Sequence, residues 1–129
     1  MRGHAEDPLA DPARVELARM AFGAGELDAA NGYLDSVRGD AVAEPATYLR
    51  CRVALASRTA DAVECLARFR ARFPASPHLT DALAAEAAHR AEAGDCERAR
   101  PLLEAAIASH PSRAVAEALR AELTRCAAR

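Results

Sequence analysis

The chain contains no tryptophan and no lysine, and only three phenylalanines and two tyrosines. With so few aromatics, a core must be built from Ala and Leu, which suits helices lying close together. Val, Ile and Thr, the residues that fit a pleated sheet, are few and scattered, whereas the strong helix formers Ala, Leu, Arg and Glu dominate. This composition excludes a β-sandwich or barrel and predicts an all-α fold. A codon bias toward GC accounts for the all-Arg basic set more simply than a demand for planar guanidinium contacts. Long apolar runs are missing too. None approaches the ~20 residues that a membrane span requires, so no membrane insertion is expected. The segment Met1–Asp7 lacks the apolar centre of a signal peptide.

Charge of one sign is also lacking. The formal net charge is −2 with both signs interleaved, unlike a nucleic-acid footprint, and nucleic acid is not an expected partner. The densest basic run, Arg68, Arg70 and Arg72, is expected to be a solvated helix face. A chain of 129 residues has the size of one domain, and we expect a flexible tail over residues 1–10 followed by a single domain over 11–129.

What the chain does have is repetition. Around Gly94 it reads Gly94-Asp95-Cys96-Glu97-Arg98-Ala99, followed by Leu102, Leu103 and Ala106, with a stop at His110-Pro111. Around Gly25 it reads Gly25-Glu26-Leu27-Asp28-Ala29-Ala30, followed by Tyr33, Leu34 and Val37. The two glycines lie 69 residues apart, close to two periods of ~34, the length of a helix–turn–helix repeat. Midway, Ser57-Arg58-Thr59-Ala60-Asp61-Ala62 leads to Leu66, Phe69 and a stop at Phe73-Pro74. Ser57 stands there in the place of the glycine.

Periodicity and punctuation place about seven helices. They are expected over roughly 11–23, 26–38, 44–56, 60–72, 77–93 and 95–109, with a last helix after Ser112. Thr59, Ser76, Asp95 and Ser112 are the expected N-caps, and Pro101 should bend the first turns of the sixth helix. The last helix carries a narrow apolar stripe of Val115, Leu119, Leu123 and Cys126, as a terminal cap requires. The first helix has a wider apolar arc: Met20 and Phe22 diverge from the Val15/Ala18 seam. Another repeat, a second subunit or a ligand belongs there, or Met20 packs under the tail.

These residues resemble the tetratricopeptide repeat. The matches are Ala18, Gly25, Ala30 and Leu34 in the first copy and Ala62, Leu66, Phe69 and Pro74 in the second. In the third they are Ala87, Gly94, Ala99, Leu103 and Pro111. The link Phe73-Pro74-Ala75-Ser76-Pro77 is similar to that of bacterial envelope, Tol-Pal-like arrays. The resemblance implies a right-handed superhelix of three helical hairpins plus a capping helix. It also implies that the chain binds a partner protein or peptide on its concave surface, without catalysis. The first-helix residues that such a surface would use are Arg19, Phe22, Thr47, Arg52, Leu83 and Arg90. An alternative role is a structural or regulatory domain excised from a longer envelope or membrane-tethered protein, forming a homodimer through helix one.

Arg52 falls among Tyr48, Cys51, Leu55 and Ala56 on a helical wheel, inside the apolar arc. Either its stem packs while its head reaches water, or it anchors a partner carboxylate in a groove. The four cysteines also show a regularity. Cys51 and Cys65 average to position 58, and Cys96 and Cys126 to position 111, each the centre of a turn. Residues equidistant from a turn face each other across a hairpin. The cysteines are therefore either four small buried hydrophobes or two hairpin staples. With both disulfides formed in an excised domain the expected location is a periplasm; for a complete chain it is the cytoplasm.

No catalytic constellation is present. His4, His78, His89 and His110 are dispersed, Glu86 and His89 make an ordinary surface pair, and no Cys-x-x-Cys, phosphate loop, nucleophile elbow or His-Glu-x-x-His occurs. We expect no enzyme, no metal and no cofactor.

Overall fold

The computed structural model describes residues 10–109 and 111–128. These form seven α-helices and no strand: α1 (Ala10–Gly23), α2 (Leu27–Asp35), α3 (Ala43–Ser57), α4 (Ala62–Arg72), α5 (Leu79–Glu92), α6 (Cys96–Ala108) and α7 (Arg113–Ala127). The fold class is all-α, as the composition requires. Of the expected tail only residue 10 is described, and Ala10 already belongs to α1; His4 and His110 lie outside the described residues. The chain divides into two compact units, Met1–Cys65 and Leu66–Arg129.

One backbone device recurs at each copy of the sequence repeat. Gly25 has φ +80°; its N–H donates to the Phe22 carbonyl at 3.0 Å and the Glu26 N–H to that of Ala21 at 2.8 Å. Gly94 has φ +82°, with Gly94 N–H donating to Ala91 at 3.0 Å and Asp95 N–H to Arg90 at 2.8 Å. At the middle copy the left-handed residue is Arg58, φ 59°, with its N–H on Leu55 and the Thr59 N–H on Ala54, both at 3.1 Å. Each is the left-handed helix end that takes up the last orphan carbonyls. The sequence alignment that put Ser57 opposite the glycines is therefore corrected by one residue: Ser57 is the last residue of α3. Thr59 is corrected too. Its hydroxyl donates back to the Ala54 carbonyl at 3.3 Å, closing α3 rather than opening α4.

In the first unit, Val15, Ala18 and Ala21 of α1, Ala30 and Leu34 of α2, and Ala46, Leu49 and Val53 of α3 form the core. Phe22, Leu27, Val37 and Val42 pack against it. Helix α2 ends at Asp35, three residues before the expected boundary, because side chains take its last carbonyls. Ser36 Oγ donates to Tyr33 at 2.6 Å, Arg50 Nη2 to Leu34 at 2.8 Å, and Arg14 Nη1 to Ser36 at 2.8 Å. The Asp11 carboxylate then holds the loop that follows, accepting from the N–H groups of Arg38 at 3.0 Å and Gly39 at 2.6 Å. Those two N–H groups, with Arg14 nearby, hold the Asp11 carboxyl below its ordinary value, against a smaller opposing effect of desolvation.

The second unit has its core between α5, α6 and α7: Leu83, Ala87, Ala91, Ala99, Leu103, Ala106, Leu119 and Cys126. Asp95 caps α6 by accepting the Arg98 N–H, and Ser112 caps α7 by accepting that of Val115. Ser76 caps a turn instead of the helix. It accepts the His78 N–H at 2.9 Å, and α5 proper starts at Leu79, two residues after Pro77. The stripe on α7 is Ala116, Leu119 and Cys126 with Leu123 half-buried, whereas Val115 is exposed. Steps of three, four and three residues keep that set on one face, and Val115 falls one position off it.

The cysteines pair across their turns. Cys51–Cys65 ties α3 to the first turn of α4, and Cys96–Cys126 ties the start of α6 to the end of α7. Both pairs have Cα atoms 5.4 Å apart, within the range of unstrained bridges. Among the described residues no cysteine is free. No helix among them is long and apolar enough to cross a membrane.

Candidate functional site

The α5 helix is amphipathic, with Ala82, Leu83, Ala87 and Ala91 buried at steps of one, four and four. Glu86 falls on that same buried face and is only 2% exposed. It is not the surface partner of His89 that sequence spacing suggests. A carboxylate removed from water requires a cation, and α4 supplies it. Arg70 Nε donates to Glu86 Oε1 at 2.8 Å and Arg70 Nη2 to Oε2 at 3.4 Å, a two-pronged grip on both oxygens. The Arg68–Arg72 run is thus not a uniform solvated face. Arg68 and Arg72 are exposed, with Arg72 lying 4.8 Å over the Phe73 ring, while Arg70 turns inward to the acid.

Beside this pair is an open cleft of about 460 Å³. Arg70 from α4, Leu83, Glu86 and Arg90 from α5, and Glu97, Arg98, Pro101, Leu102 and Ala105 from α6 line it. The hairpin turn at Gly94 sets their order: Arg90 faces Glu97 and Arg98 next to the turn, and Leu83 faces Ala105 two helical turns away. One end of the cleft is charged and the other apolar. Arg98 is paired with Asp95 at 3.6 Å on the surface. Arg90 differs, because its Nε–H is buried without any hydrogen-bond partner. A donor left in that state costs about 1–3 kcal/mol relative to a satisfied one. Pro101 adds a second gap, since it has no N–H to give the Glu97 carbonyl one turn back.

The first unit holds another cluster. The Arg52 guanidinium stands 5.9 Å from the Phe22 ring centre and 5.8 Å from that of Tyr48, and donates to the Tyr48 hydroxyl at 2.8 Å. Two aromatic faces and a phenol oxygen explain how an arginine is held inside the apolar arc of α3. No family model matches the chain, and no curated protein or solved structure matches it.

Of the residues singled out from sequence, Phe22 and Arg52 meet in the first unit, and Leu83 and Arg90 line the cleft of the second. Arg19 is on the surface of α1 in an exposed pair with Glu16 at 3.1 Å, and Thr47 is half-buried on α3. Neither joins a cluster. Sequence reasoning missed Arg70 and the burial of Glu86. The signal for Glu86 was present, since 82, 83, 86, 87 and 91 share one side of a helical wheel. Arg70, sixteen residues away on another helix, left none. On α1, Leu17 and Met20 are 42% and 62% exposed, which locates the outer part of the wide apolar arc at the surface.

Proposed function

We propose that this chain is a non-catalytic protein-recognition module built from tetratricopeptide-like hairpins, taking an extended segment of a partner protein. The observation that carries this reading is the cleft on the α5–α6 hairpin, where Arg90 presents a buried, unpartnered donor beside an apolar wall of Leu83, Pro101, Leu102 and Ala105. Specific polar groups set in a mostly apolar concavity are what a binding site requires. The recurrence of one left-handed turn at Gly25, Arg58 and Gly94 supports the repeat character. The two disulfides favour an oxidising compartment such as a bacterial periplasm.

A second reading has its own observation. The exposed Leu17 and Met20 on α1 favour a domain that self-associates through helix one. An array of end-blocked peptides of varied sequence, probed with the oxidised protein, separates the two. Saturable binding by a defined subset, to a protein that sediments as a monomer, supports recognition. A concentration-dependent dimer abolished by Met20→Glu, together with an array that stays blank, replaces recognition with self-association.

A further inference from the structure

We infer that the Arg58–Thr59 peptide bond is a processing site for an arginine-specific serine endopeptidase, whose cut leaves two chains joined by the Cys51–Cys65 bridge. The site lies in the turn between α3 and α4 and is independent of the recognition reading.

Accessibility comes first. Ala56 to Asp61 are all exposed, the longest unbroken exposed run among the described residues, and Arg58 lies within it. An endopeptidase takes its substrate as an extended strand, so a bond in a tight turn is cut only after its neighbours detach. Exposed tips are where such local opening is easiest. Here it draws no large apolar side chain out of the core. Ala56 and Ser57 close α3 at the surface, and the run stops at the buried Ala62. The hydrogen bonds given up are those of the Arg58 and Thr59 N–H groups and of the Thr59 hydroxyl. Water replaces them at an exposed site. Opening also releases Arg58 from φ 59°, the one positive φ at a non-glycine among the described residues.

Rival bonds are better guarded. The chain has no lysine, so only arginine marks a bond for a trypsin-like enzyme. Among the described residues, Arg38 and Arg58 alone lie outside helices. Arg38 is exposed too, but its loop is tied down. The Asp11 carboxylate accepts from the N–H groups of Arg38 and Gly39, Arg14 donates to the Ser36 carbonyl, and Val37 packs against the core. Freeing that loop breaks charge-assisted hydrogen bonds and withdraws an apolar side chain. Arg72 and Arg113 stand at helix ends. Phe73, after the first, packs on Phe69, and the Ser112 cap closes the turn around the second.

The step is a hydrolysis that consumes one water. The enzyme's serine attacks the Arg58 carbonyl carbon, Thr59 leaves as a free amine, and water releases Arg58 as a carboxylate. Cys51 precedes the cut and Cys65 follows it, so the bridge keeps both pieces in one molecule.

The oxidised full chain is digested with a trace of trypsin, quenched, and read by mass spectrometry and by gels run with and without reductant. The first products expected are Met1–Arg58 and Thr59–Arg129, formed roughly tenfold faster than any cut at Arg38. Without reductant they migrate as one species, and with it they separate. Arg58→Gln, folded by circular dichroism, should lose this first cut and keep the slower ones; the wild-type map is a test on its own. A first cut at any other arginine overturns the proposal, as does an unchanged initial rate in Arg58→Gln. So does a native protein that resists trypsin under conditions that digest the reduced, heat-unfolded chain. Fragments that part before reduction overturn the two-chain form.

Discussion

Replacing Arg58 by glycine should stabilise the protein, even though it deletes a charged side chain and adds nothing in its place. Arg58 is held at φ 59° and ψ 40°, where Gly25 and Gly94 occupy the same position of the same turn. A residue with a Cβ pays about 1–2 kcal/mol to sit there. Glycine removes that strain but brings about 0.5–1 kcal/mol of extra unfolded-chain entropy. The Cys51–Cys65 bridge spans this turn and already restricts the unfolded segment, so the entropic loss should fall at the low end. The net gain is then about 0.5–1 kcal/mol. In a chain of 129 residues that corresponds to roughly 2–4 °C in Tm. Arg58 also sits near the C-terminus of α3, where a cation is favourable by a few tenths of a kcal/mol. Arg58→Ala is therefore the proper reference, since both variants lose the charge and only one keeps the Cβ. The reciprocal changes Gly25→Ala and Gly94→Ala should each cost a similar amount. A Cβ at either position meets nothing within 4 Å, so their penalty is conformational alone. Urea unfolding of the oxidised protein measures all four. Arg58→Gly that is no more stable than Arg58→Ala, alongside destabilised glycine variants, would refute the equivalence of the three turns.

Three other perturbations follow from the same contacts. Removing Arg70 by Arg70→Ala leaves the carboxylate of Glu86 without its fork at 2% exposure; urea unfolding should show a loss of about 2–3 kcal/mol, largely restored in Arg70→Ala/Glu86→Leu. The bridges close loops of 14 and 30 residues in sequence separation; chain-entropy reasoning gives each about 3–4 kcal/mol, so Cys51→Ala/Cys65→Ala and Cys96→Ala/Cys126→Ala should each lower Tm steeply, as calorimetry would register. The Asp11 carboxyl is lowered from its ordinary 3.8 by the N–H groups of Arg38 and Gly39. Its stabilising contribution is therefore complete above that value and lost as pH falls through the lowered one, and Asp11→Asn should flatten the acid limb of a Tm-against-pH series.

Local physics was legible in the sequence, and contact between distant helices was not. Gly25 and Gly94 mark helix ends because the left-handed position excludes most side chains, and Asp95 and Ser112 cap because their oxygens reach the N–H three residues on. The cysteine register was readable because a hairpin maps sequence distance from its turn onto position along the partner helix. It left two states open, and both pairs stand at bridging distance. The misplacements have a common origin. Ser57 was aligned with the glycines because left-handed backbone is invisible when the residue adopting it is an arginine. Thr59 was read forward as a cap, yet its hydroxyl has an open carbonyl behind it as well as a helix ahead. At the cleft, Leu83 and Arg90 could be named from the α5 pattern alone. The fate of Glu86 depended on a guanidinium sixteen residues earlier.

That dependence bears on why Arg90 is left unpartnered. Glu86 precedes Arg90 by four residues on α5, the spacing and orientation at which an acid and a base on one helix ordinarily pair. Arg70 prevents this by engaging both oxygens of the carboxylate from α4. The buried pair thus does more than neutralise itself. It withholds from Arg90 the carboxylate one turn earlier on the same helix, and the buried Arg90 Nε–H is left without an acceptor. A fold selected for stability alone would do better with an apolar side chain at position 90, because an unsatisfied donor is costly and its removal nearly free. The arrangement of Arg70, Glu86 and Arg90 is accounted for if the missing acceptor arrives from outside the chain.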